Sequence, residues 1–238
     1  MLAYFYMKKW FFDLTLKKKL LILQTLALIP WFFGLTYLAY QTWPQVKILG
    51  KEIQGARHLP YYVTLMDTLQ RHRGLSYTYF LSKSPEEKAR FRPALLELEK
   101  KFFKTISKIE EKLEEDQQAF KYLEEIKNRF SNLQIAKFQG TADENFWDHS
   151  RLILILFNIM EAEGHQYALF SDPDLYVRTL TEVALIELPK LTEILGRIRG
   201  LGSGYLARKN LSLSEKKNLL KLYVSAHSYA GTLQWTIK

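Results

Sequence analysis

The chain contains no cysteine, which excludes disulfides, zinc–thiolate sites, iron–sulfur clusters and thiol nucleophiles, and says nothing about compartment. Only 11 Gly and 7 Pro in 238 residues argue against a β-sandwich or a Gly-rich nucleotide fold. Period-2 alternation bounded by hairpin turns is missing, so no sheet is expected. The motifs GxxxxGK[ST], strand-borne GxGxxG, GxSxG and HExxH are all lacking, so an enzyme reading has nothing to stand on and no catalytic residue or cofactor is expected. Hydrophobic content of 47% rules out a disordered chain, and the length allows one domain or two small ones with a sizeable core.

Charge is absent from one long stretch. Residues 20–46 hold 27 consecutive uncharged positions between Lys19 and Lys47. As a helix they would reach roughly 40 Å, more than the ~30 Å hydrocarbon core of a bilayer. Trp31, Tyr37, Tyr40 and Trp43 suit a membrane interface, and Pro30 is expected to kink the helix, which spans tolerate. A secretory signal peptide fits less well, because the run exceeds an h-region of ~7–15 residues and no small-x-small cleavage site follows. Lys8, Lys9, Lys17, Lys18 and Lys19 against Asp13 place a basic N-terminus, 1–19, in the cytoplasm, a transmembrane helix at 20–46 and an extracytoplasmic part at 47–238. The formal charge of +9 divides into +4 for the first 46 residues and +5 for the rest. No basic cluster interleaved with aromatics appears, so nucleic acid is not an expected partner.

Residues 47–238 read as helical throughout. Leu95, Leu98, Phe102, Ile106, Ile109 and Leu113, then Phe120, Leu123, Ile126, Phe130 and Leu133, step by three and four and form a bundle seam. Ser84-Pro85 with Glu87, Thr141 with Glu144, Ser212 with Glu215 and Asp172-Pro173 mark helix starts. Helices are expected near 48–82, 86–137 with a break near Asp116, 143–170, 173–209 and 214–238. Pro60 should bend the first, and the apolar run 152–157 should make the third central. The expected class is all-α: an antiparallel four-helix bundle, or two stacked end to end, behind the membrane helix. His58, His72, His149, His165 and His227 lack metal-ligand spacing and read as scattered surface residues, so no metal is expected.

Two arginines stand out. Arg73 falls in the apolar stripe of Met66, Leu69, Tyr77 and Phe80, with no acid three or four residues away. Arg199 likewise has only Leu195, Gly196, Gly202 and Ser203 at those offsets. Arg71 can pair with Asp67 and Arg197 with Glu193, each at i−4. An unpaired buried guanidinium costs several kcal/mol. Gly196, Gly200 and Gly204, four apart, give up roughly 1 kcal/mol of helix propensity each. They must let another helix or a ligand come close, and Gln70 and Gly74 flank Arg73 in a similar way. If the helices carrying Arg73 and Arg199 adjoin, a small planar oxyanion such as nitrate, nitrite or a carboxylate would match the two forks. The alternatives are acids from other helices, or snorkelling to solvent.

LQRHRGLSYTYFL at 69–81 resembles the Gln-x-x-Arg-Gly motif of the nitrate- and nitrite-sensing domain of bacterial transmembrane receptors. The segment from Phe170 to Lys217, including LPKLTEILGRIRGLGSGYLARK, is similar to the final portion of such sensor regions in chemoreceptors, histidine kinases and diguanylate cyclases. His72 stands where the family usually has Glu. The likeness, over roughly 15–220, implies an all-helical extracytoplasmic sensor of a signal-transduction receptor, working as a homodimer. Its arginines would hold a small anion: Arg73 and Arg199 first, Arg71 and Arg197 as candidates, with Gln70 and Gly200 beside them. Family members continue through a return span into an output module, whereas this sequence stops at Lys238. The expectation is a truncated frame, an excerpt or a stand-alone tethered sensor. The competing expectation is a membrane-anchored helical interaction protein with no small ligand.

Overall fold

A computed structural model describes residues 15–112, 117–208 and 211–236, and all the regular structure among them is helical. The chain divides into two units, Met1–Gly50 and Lys51–Lys238. The elements are α1 (Leu16–Leu81), α2 (Pro85–Glu110), α3 (Gln117–Leu133), α4 (Ala142–Gln166), α5 (Leu175–Glu182), a π-helical turn (Val183–Glu187), α6 (Leu188–Arg208) and α7 (Leu213–Thr236). The expected helices correspond to these, and the π turn is an interruption that was not expected. α1 is continuous through Pro30, Pro44 and Pro60. The stretch 86–137 is two helices, ending at Glu110 and Leu133; Asp116, the expected break, lies outside the described residues, as do most of the basic N-terminus and Leu113. The stretch 173–209 is interrupted by the π turn.

In the first unit, α1 is long and apolar enough to cross a membrane, and none of its residues there is buried. Its threonines and Gln41 find their partners within the helix. Thr25, Thr36 and Thr42 donate to the carbonyls of Leu21, Phe32 and Leu38 at 2.7–2.9 Å, and Gln41 donates to the Tyr37 hydroxyl at 2.7 Å. Such back-bonding is what an apolar solvent, offering no hydrogen bonds of its own, demands.

Among the described residues the second unit has two clusters of buried side chains. The larger joins Tyr62, Leu65 and Leu69 of α1 to Phe102 and Ile106 of α2, Ile126 and Phe130 of α3, and Ile153 and Leu156 of α4. Phe102 and Phe130 stack at 3.8 Å. The expected seam is buried wherever it is described, except Phe120, which is 44% exposed. In the run 152–157, Leu152, Ile153, Leu156 and Phe157 are buried while Leu154 faces outward. The smaller cluster joins Tyr77 of α1, Phe146 of α4, and Leu201 and Tyr205 of α6, with Leu219 and Leu222 of α7 against it.

Local capping chemistry sets the starts. Ser84 accepts from the Glu87 amide ahead of Pro85, and Thr141–Glu144 closes a reciprocal box. Ser212 and Glu215 exchange the same pair of bonds. The start expected at Asp172-Pro173 is corrected: Asp174 caps α5, accepting from Tyr176 and Val177, while Asp172 accepts from the Asp174 amide.

Candidate functional site

The glycine stripe of α6 lies against α1 and α4. A Cβ at Gly196 would stand 3.0 Å from Arg73 Nη2, one at Gly200 2.8 Å from Phe146, and one at Gly204 2.1 Å from the Tyr77 ring. These contacts account for the glycines, since any larger residue would force the opposing side chain away. They also bring the early and late arginines into one neighbourhood.

Arg73 is 1% exposed, and its charge has a native partner. Glu193 of α6, itself 2% exposed, accepts from Arg73 Nη1 at 2.5 Å and from Arg197 Nε at 2.7 Å on the same oxygen, Oε1. Its other oxygen accepts from Gln70 Nε2 at 3.1 Å. The expectation that nothing native neutralises Arg73 is therefore corrected. The acid comes from 120 residues away, beyond any search confined to neighbouring helical turns. The expected Arg197–Glu193 pair forms, and Arg71 reaches Asp67 at 3.9 Å on the exposed side of α1.

One carboxylate does not exhaust the Arg73 fork. Nη1 also donates to Ser150 Oγ at 2.9 Å, and the guanidinium lies 4.9 Å from the Phe146 ring centre. Nε and Nη2 are buried without a hydrogen-bond partner. Burial lowers the Arg73 pKa; Glu193 opposes this, and the like charges of Arg197 and Arg199 add to it. Among the described residues no carboxylate pairs with Arg199.

A groove of about 320 Å³ opens between α1 and α6, with Arg71, Gly74 and Thr78 on one side and Arg199, Gly200 and Ser203 on the other. The groove is open to solvent, so a small planar oxyanion would enter with water around it. The six expected site residues thus separate into two sets. Arg71, Arg199 and Gly200 line the groove, whereas Arg73, Arg197 and Gln70 hold Glu193.

The histidines depart most from expectation. His58, His72 and His149 are 7%, 0% and 0% exposed, so the reading of them as surface residues is corrected; only His165 and His227 are exposed. His72 Nδ1 lies 2.7 Å from His149 Nε2, and His149 Nδ1 lies 2.7 Å from the Asn145 carbonyl. His72 Nε2 faces Glu99 Oε1 at 3.5 Å, and His58 Nδ1 faces Glu163 at 3.5 Å. Among the described residues no group of His, Asp and Glu is arranged to hold a metal ion.

Polar contacts therefore run in parallel between α1 and α4: His72 to His149, Arg73 to Ser150, Ser76 to Asn145 at 2.8 Å and Tyr77 to Asp143 at 2.8 Å. Glu193 was legible as the partner of Arg197 but not of Arg73, and Glu99 and Ser150 were not foreseen as partners. The available signal was a polar residue on an apolar stripe: Glu99 stands four after Leu95 and three before Phe102, and His149 three after Phe146.

Comparison of the chain with protein-family models, with curated proteins and with solved structures gave no match.

Proposed function

We propose that this chain is the ligand-sensing region of a bacterial transmembrane signal-transduction receptor, and that it takes a small anion of the nitrate or nitrite kind between α1 and α6. The observation that carries the reading is a surplus of fixed positive charge beside a cavity. Arg71, Arg73, Arg197 and Arg199 come from two helices; among the described residues the carboxylates paired with them are the buried Glu193 and the exposed Asp67, 3.9 Å from Arg71, and a groove opens at Arg71 and Arg199. Positive charge crowded against itself is relieved by an anion, and guanidinium forks match planar oxyanions in shape. The anion occupies the groove, not the position of Glu193, so Arg71 and Arg199 grip it while Arg73, Arg197 and Gln70 hold the floor.

In this reading residues 20–46 cross the inner membrane with the N-terminus cytoplasmic, and 47–238 form a periplasmic or extracellular antiparallel four-helix bundle, stacked on a second. Anion binding then draws α1 toward α6, and in a homodimer that displacement passes along α1.

Thermal melts of the full chain in detergent micelles test the proposal. Nitrate, nitrite or formate, at ionic strength matched with chloride, is expected to raise the melting temperature, and Arg199→Ala to abolish the rise. The Arg73–Glu193 pair favours a second reading, a membrane-anchored interaction protein whose arginines only brace helices. No rise with any of these anions, in a chain shown folded by circular dichroism, would select it.

A further inference from the structure

The buried histidines form a directed chain that the anion reading does not use. A carbonyl only accepts, so His149 Nδ1 donates to Asn145 O, and Nε2 of a neutral His149 is left as an acceptor. His72 Nδ1, 2.7 Å away, must then be the donor. Glu99 accepts from the Ile135 amide at 2.9 Å and from Gln134 Nε2 at 3.1 Å, the role of a carboxylate. Its Oε1 faces His72 Nε2 at 3.5 Å, an ion-pair distance, and that nitrogen is buried without a hydrogen-bond partner. The two bonds, His72 to His149 and His149 to the Asn145 carbonyl, point the same way.

We propose that this Glu99–His72–His149 chain is a proton-responsive latch, which ties α1 to α2 and α4 near neutral pH and releases them when one further proton enters. A proton from solvent has two places to go. On His149 Nε2 it sets N–H against N–H across 2.7 Å. On Glu99 it removes the carboxylate charge that faces His72 Nε2. The first opens the His72–His149 contact, the second loosens the tie between α1 and α2, and the proton stays on the ring or carboxyl that took it.

The surroundings offer no relief. Facing the two rings are Glu99 from α2, Phe130 from α3 at 5.0 Å and 6.1 Å, and Asn145 from α4; Arg73, next to His72 on α1, is the nearest other charge. Burial, then the charge of His72 and that of Arg73, holds the His149 pKa well below its ordinary value, against the pull of the Asn145 carbonyl. A lowered histidine pKa means that above about pH 6.5 both folded and unfolded forms are neutral. Below it the open form gains a proton that the closed form refuses, so opening grows by roughly tenfold per pH unit. The latch is independent of the anion groove, since none of its three residues lines it.

Two measurements on the full chain in micelles test it. Histidine C2-proton exchange, read by mass spectrometry, should show His149 titrating well below the exposed His227; equal midpoints would overturn the proposal. Backbone amide exchange over 68–76 and 145–153, corrected for intrinsic rate, should rise about tenfold from pH 7.5 to 5.5 in the wild type and in His227→Gln, but not in His149→Gln. No rise in the wild type, or a rise that survives in a folded His149→Gln, would overturn it. If that variant does not fold, the two wild-type measurements decide.

Discussion

Glu193→Ala removes the single carboxylate that neutralises a fully buried arginine. Arg73 is 1% exposed and Glu193 2%, so neither can reach water without a helix moving. After the substitution Arg73 keeps one neutral acceptor, Ser150 Oγ at 2.9 Å, and the face of Phe146. Nε and Nη2, unpartnered already, gain nothing. Breaking a buried pair from one side costs about 3–5 kcal/mol. In a unit of this size each kcal/mol moves the melting temperature by about 2–4 °C, so a fall of roughly 6–20 °C is expected. Urea unfolding of the full chain in micelles, followed by circular dichroism, supplies the free energy. Asp67→Ala is the control, because its pair with Arg71 is 3.9 Å long and more than half exposed on both sides; it should cost under ~1 kcal/mol. The double variant Arg73→Met with Glu193→Leu should cost far less than the sum of the single ones, since the stranded charge goes with its partner. If Glu193→Ala is as harmless as Asp67→Ala, the reasoning about the arginine cluster is refuted.

The glycine contacts and the tyrosine at the end of α1 give two more. Gly204→Ala should destabilise by about 1–3 kcal/mol, because its Cβ would meet the Tyr77 ring at 2.1 Å, whereas Gly202→Ala, with nothing within 4 Å, should gain up to ~1 kcal/mol; paired urea melts compare them. Burial, then the hydrogen bond to Asp143, pushes the Tyr77 pKa far above its ordinary value. A raised phenol contributes stability that is complete below about pH 10 and is lost as pH climbs toward the folded value, because the unfolded chain releases its proton first. Tyr77→Phe should therefore flatten the alkaline fall in melting temperature above pH 10; an unchanged slope would contradict the burial argument.

What the sequence shows plainly is what neighbouring turns decide. The seam of Leu95, Leu98, Phe102 and Ile106 repeats at three and four residues, so both the helix and its buried face can be read directly. Ser84, Thr141 and Ser212 name their helices because capping is a bond across three residues. Arg197–Glu193 follows from i, i+4 spacing. Gly196, Gly200 and Gly204 announced a close approach without naming what approaches; Arg73, Phe146 and Tyr77 were set by packing. Arg73–Glu193 and His72–His149 join residues 120 and 77 apart, and no local rule links them. The histidines misled for the same reason: an imidazole on an apolar stripe is worth burying only when a distant partner completes its hydrogen bonds. At α5, Asp172 and Asp174 both offer a capping carboxylate, and Asp174 prevails.

Calorimetric titration of nitrate into the full chain in micelles decides whether the groove between α1 and α6 takes an anion. Saturable binding of one anion per chain is expected, and its loss in Arg199→Ala, a variant that keeps the Arg73–Glu193 pair and its stability. Equal heats for the wild type and Arg199→Ala, or no heat beyond dilution from a folded wild type, would contradict it.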